Sequence, residues 1–147
     1  MELLIAKPAS LVAMFATIVF FLAALLTGSW KYYCIRRSAK AEAPVYVNIA
    51  HRAALMYSFA ALLLAVLASL SAFPNTVNMV AVLLPLFYFA FATFGYIVLG
   101  LRNVTDNQFR NSPNPRGELV LMLSLIAAEI GGFVVLSAGF ILRVIQT

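Results

Sequence analysis

Along the chain, four long apolar blocks alternate with three polar breaks. The blocks run over about 9–32, 47–73, 77–101 and 118–145, and each contains at most a few ionisable side chains. A helix rises 1.5 Å per residue, so each block is long enough to cross roughly 30 Å of hydrocarbon. At that depth the backbone must satisfy its own hydrogen bonds, which makes helices the default. The pattern therefore predicts an all-α polytopic membrane protein, one domain over residues 1–147, built as a bundle of four transmembrane helices. Pro8 opens the first helix, a position where its missing N–H costs nothing. Pro74-Asn75 ends the second. Pro85 lies inside the third and predicts a kink, with a carbonyl freed about one turn earlier.

Composition agrees with this reading. Of the 147 residues, 64% are apolar and only 10% charged, against roughly a quarter charged in soluble domains. Lys7 followed by the apolar run Leu11–Leu26 resembles a secretory signal, but the run ends in Trp30, Tyr32 and Tyr33. That aromatic border is expected of a retained span at the lipid–water boundary. The net charge of +5 is accounted for by the loops. Lys31, Arg36, Arg37, Lys40, Arg102, Arg110 and Arg116 lie at the first and third connections, with Arg52 close by. Only Lys7 and Arg143 lie at the other end. The positive-inside rule then puts loops one and three in the cytoplasm and both termini outside, with a bacterial inner membrane as the expected home. No basic run with interleaved aromatics points to nucleic acid. The single cysteine, Cys34, excludes an internal disulfide and a cysteine-built metal centre.

Polar groups inside a bilayer are costly and are functional candidates for that reason. His51, the one histidine, sits beside Arg52 near the start of the second helix. A neutral imidazole there can ligate iron through one nitrogen while an acceptor holds the other; interfacial snorkelling is the simpler alternative. Glu129 lies near the middle of the fourth helix. It is either a proton carrier or catalytic group, or a protonated acid bonded to Thr, Ser or Tyr of another helix. The stretch from Asn103 to Gly117 is rich in amides and is read as either a solvated turn or a lid folded back over a site next to His51. Ser124, Ala128 and Gly132 form a small-residue stripe for helix association, within or between protomers. The third helix is crowded with rings, among them Phe87, Tyr88, Phe89, Phe91, Phe94 and Tyr96.

These features together resemble the small four-helix membrane isomerases, styrene oxide isomerase and more distantly hydroxylaminobenzene mutase. The resemblance is carried by Ala50-His51, by Tyr96 near the end of the third helix, by Asn107-Gln108-Phe109, and by the long apolar helix that follows. It covers about residues 50–142. Where the family has an Asn two turns after its histidine, this chain has Met56-Tyr57-Ser58. The resemblance implies a homotrimer with ferric haem b at the subunit boundaries and His51 as the axial ligand. Arg52 and Arg102 would meet the propionates, and Tyr57, Tyr96 and Asn107 would position a small aromatic substrate. The implied reaction is Lewis-acid opening of an aryl epoxide and a 1,2-hydride shift to an arylacetaldehyde. Two other function classes remain in view: a non-enzymatic membrane subunit docking through the fourth helix, and a small proton-coupled transporter using Glu129.

Overall fold

The computed structural model describes residues 7–110 and 113–146. Residues 1–6, Thr147, and Asn111 and Ser112 of the third loop lie outside the described residues. The expected bundle is present, and the described residues contain no strand. Its helices are α1 (Pro8–Arg37), α2 (Val45–Leu70), α3 (Asn75–Arg102) and α4 (Pro115–Ile145). All four are long and apolar enough to span a membrane, which makes this an integral membrane protein by construction. α2 and α3 form the centre, each touching all three other helices, while α1 and α4 flank them on opposite sides.

The helix ends differ from the sequence expectation in ways the caps explain. α1 runs five residues past Tyr32, to Arg37, where Arg36 and Arg37 sit in the last turn facing the negative end of the helix dipole. The Arg37 guanidinium also lies 4.4 Å from the centroid of the Tyr33 ring, one turn back. The first loop therefore shrinks to residues 38–44. α2 starts directly after Pro44 and α3 directly after Pro74. α4 starts at Pro115, earlier than expected, because the Asn114 side chain caps it by accepting from the Gly117 N–H at 3.0 Å.

Packing is governed by small side chains. Ala50, Ala54, Ser58, Ala61, Ala65 and Ala68 form one fully buried face of α2, so backbones approach closely, as is usual between membrane helices. Ser10 of α1 crosses this seam, donating to the Ala65 carbonyl at 2.9 Å. The α4 stripe serves the same purpose inside the chain. Ala128 and Gly132 are buried, and the Ser124 hydroxyl accepts from the Tyr88 hydroxyl at 2.8 Å. Gly132 meets α3 where Pro85 interrupts it: a Cβ at 132 would strike the Ala81 carbonyl and the Pro85 ring. Ala81 is four residues before Pro85, so the freed carbonyl lies against the glycine.

At the end bearing the termini, the Lys7 ammonium donates to the Ser71 carbonyl at 2.6 Å, and the Ala72 N–H donates to the Gly139 carbonyl at 2.9 Å. Burial, together with the neighbouring Arg143, lowers the proton affinity of Lys7.

Candidate functional site

His51 projects from α2 onto α1. Its Nδ1 lies 2.9 Å from the Ala24 carbonyl oxygen. A carbonyl can only accept, so Nδ1 carries the proton, and in the neutral ring Nε2 keeps its lone pair. The same carbonyl accepts from the Thr27 hydroxyl at 3.1 Å. Room for the ring is made by Gly28, where a Cβ would come within 2.9 Å of His51 Cε1 and 3.1 Å of Nδ1. One face of the imidazole is thus held by backbone on two sides. Nε2 has no hydrogen-bond partner among the described residues.

Tyr57 and Tyr96 form a second cluster. The Tyr57 ring stacks on Phe89 of α3 at 4.2 Å between centroids, with 13° between planes. Tyr96 stacks on Tyr46 at 6.2 Å. Both tyrosines line a cavity of about 290 Å³, whose wall also includes Phe91, Gln108, Phe109 and Glu118. They border a more open recess of about 310 Å³ with Arg52 and Met56 as well. The loop after α3 closes over this region. The Gln108 N–H donates to the Tyr46 hydroxyl at 2.6 Å, so the strand of loop carrying Gln108 and Phe109 is held down by the ring that stacks on Tyr96. The described part of this loop is mostly exposed, with Thr105 and Gln108 half-buried. Its anchor at Gln108 lies by the tyrosines rather than over a site next to His51.

Asn107 is not in the cavity wall. It is exposed, and its side-chain oxygen accepts from the Phe109 N–H at 2.9 Å, an Asx turn that shapes the loop. Arg52 and Arg102 are exposed at the basic end and make no ion pair among the described residues. Glu129 lies one turn beyond Leu125, a residue of the cavity wall, and is not itself in that wall. Its Oε1 is buried with no hydrogen-bond partner among the described residues. The bonded acid anticipated as one alternative is therefore not the arrangement found.

The sequence-predicted residues fall into two groups that one chain does not unite. His51 and Tyr57 are six positions apart on α2, which places them about 120° apart around the helix axis. Neither recess beside the tyrosines has His51 in its wall. Sequence reading missed Ala24, Gly28 and Tyr46. Only Gly28 carried a signal, as a glycine inside a long apolar helix, and that signal names no partner.

The described residues contain no cluster of three or more His, Cys, Asp or Glu side chains able to hold a bare metal ion. The Ala24 carbonyl holds the Nδ1–H of His51 and leaves Nε2 without a hydrogen-bond partner among the described residues, and neither recess beside the tyrosines reaches that ring. Comparisons with protein-family models, with curated proteins and with solved structures find no match to this chain.

Proposed function

We propose that this is a membrane-bound haem-dependent isomerase acting on small aryl epoxides. The observation that carries the reading is the 2.9 Å contact from His51 Nδ1 to the Ala24 carbonyl. A ring held this way is oriented before any ligand arrives, and its free nitrogen is the one that binds iron. His51 would hold the haem, and Arg52 and Arg102 would meet its propionates at the basic end. When bound, ferric haem supplies a Lewis acid able to open an aryl epoxide and yield the arylacetaldehyde by a 1,2-hydride shift.

The chain's own residues do the rest. Tyr57 and Tyr96 offer ring faces and hydroxyl donors to an aromatic substrate. Phe109 and Gln108, held by Tyr46, limit water from the loop side. Because His51 and the tyrosines face different directions on α2, the site is completed between copies, in keeping with a homotrimer. Loops one and three then lie in the cytoplasm of a bacterial cell, on the side favoured by the basic residues.

The test is an absorption spectrum of detergent-purified protein expressed with ample haem precursor, followed by turnover of styrene oxide. A Soret band that disappears in His51→Ala, together with phenylacetaldehyde formation, is the expected result. Absence of the band in the unmodified protein would end the proposal. One observation favours a second reading: the unpartnered Glu129 Oε1 suits a proton carrier. That reading expects pH-driven flux in proteoliposomes, abolished by Glu129→Gln, and it fails if the flux is unchanged.

A further inference from the structure

The glycines within the helices divide by what a side chain would meet there. A Cβ at Gly28, Gly100, Gly132 or Gly139 would press on a neighbouring helix or on the turn between α2 and α3, so close packing accounts for those four. Gly95 of α3 is different. A Cβ there meets nothing within 4 Å, and glycine disfavours a helix interior relative to alanine. The space it leaves open belongs to the cavity of about 290 Å³, whose wall contains Gly95 together with Ala92, one turn earlier on the same face of α3. From α4 the wall takes Leu121, Met122 and Leu125. The Tyr88–Ser124 hydrogen bond of 2.8 Å ties α3 to α4 one turn from Ala92 and one from Leu121, so the cavity opens directly beyond a point where the two helices are joined. Gly131, the other helical glycine with open space around its Cα, lies in the apolar groove on the far side of that tie.

We propose that Gly95 sets the size of the molecule this cavity admits, and that the occupant is an arene of up to two fused rings. The inference rests on the reading of the cavity as the place of an aromatic substrate. An apolar cavity of about 150 Å³ holds one benzene, and the volume of about 290 Å³ is nearly twice that. Tyr57, Phe91, Tyr96 and Phe109 in the wall supply rings for a planar guest to pack on. The two phenols and the Gln108 amide supply donors for a neutral oxygen on that guest. A side chain at position 95 would project into the open volume and take it from the guest, with no neighbouring helix to push aside. A two-ring aryl epoxide is then within the substrate range, and bulk at position 95 narrows that range to one ring.

The test is calorimetric titration of the full-length protein in nanodiscs, corrected for empty nanodiscs, with 2-(2-naphthyl)ethanol and with 2-phenylethanol. Both should bind saturably, the naphthyl compound about 5- to 10-fold tighter because its second ring adds buried apolar area. Gly95→Leu should weaken the naphthyl compound by about 10- to 100-fold through overpacking and the phenyl compound by less than about threefold, so the preference is lost. Gly131→Leu makes the same change at open space outside the cavity and should alter neither affinity. No saturable binding, exclusion of the naphthyl compound by the unmodified protein, a preference that survives Gly95→Leu, or the same loss in Gly131→Leu would each overturn the proposal. Should Gly95→Leu fail to fold, Gly95→Ala decides: it adds one methyl where nothing stands within 4 Å, and the preference should fall by about threefold, an unchanged ratio overturning the proposal. The readout is equilibrium binding rather than turnover. A missing Soret band would therefore end the isomerase reading without touching this result, and failed binding beside an intact Soret band and turnover would end this inference alone.

Discussion

Gly28→Ala isolates the contribution of one missing methyl group to the state of His51. A Cβ at position 28 would stand 2.9 Å from Cε1 of the imidazole and 3.1 Å from Nδ1. Ordinary van der Waals contact begins near 3.4 Å, so the ring must retreat by about 0.5 Å. It cannot do so and keep the 2.9 Å contact to the Ala24 carbonyl, because hydrogen bonds lose most of their strength as they approach 3.5 Å. The lost bond costs about 0.5–1.5 kcal/mol. Replacing a mid-helix glycine by alanine returns up to about 1 kcal/mol through helix propensity. The two effects nearly cancel. Thermal stability should therefore move little, while the tautomer preference disappears.

The chain has one histidine, so selective ¹⁵N-histidine labelling gives a spectrum of a single imidazole. At a pH where the ring is neutral, the unmodified protein should show a protonated Nδ1 and an unprotonated Nε2. Gly28→Ala should show tautomer averaging. If the two proteins give the same nitrogen shifts, or if Nε2 carries the proton in the unmodified protein, the reasoning fails, and the haem reading loses its main support.

Three further outcomes are expected. Gly131 and Gly132 are adjacent, but a Cβ at 131 meets nothing within 4 Å, whereas one at 132 meets backbone of α3. Gly132→Ala should therefore destabilise by about 1–3 kcal/mol and Gly131→Ala should be neutral or slightly stabilising, as read from thermal unfolding in detergent. Tyr46→Phe keeps the stack on Tyr96 but removes the acceptor for the Gln108 N–H; amide exchange over residues 103–110 should quicken while the helices stay protected. The Asp106–Arg110 ion pair is well exposed at both ends, so Asp106→Asn should leave stability unchanged within error.

How much of this was legible in the sequence follows from the physics of each signal. Span count and order were legible because hydrocarbon thickness sets a length that uncharged stretches must meet, and those stretches are visible by eye. Helix rotation was not, because lipid-facing and bundle-facing positions are both apolar; nothing in the sequence says that Phe89 is buried while Phe87 and Phe91 are exposed. The spacing of small residues was a legible cue to close seams, both from Ala50 to Ala68 on α2 and at Ser124, Ala128 and Gly132 on α4. His51 and Glu129 stood out as polar groups in apolar surroundings, whereas Tyr57 and Tyr96 were marked as site residues only by the family resemblance. Their partners did not, because Ala24 acts through a backbone carbonyl, and Tyr46 reaches Gln108 across 62 positions.

The contact of Gly132 with Ala81 and Pro85 also bears on traffic. A molecule dissolved among the acyl chains can settle into the apolar groove of about 370 Å³ beside Val80, Leu84 and Gly131, but there the α3–α4 seam has no room even for a methyl group. The groove is a blind alley at that height. The chamber near Tyr57 is a separate recess that shares no wall residue with this groove, and its own wall includes Phe91 and Phe109, both about half exposed.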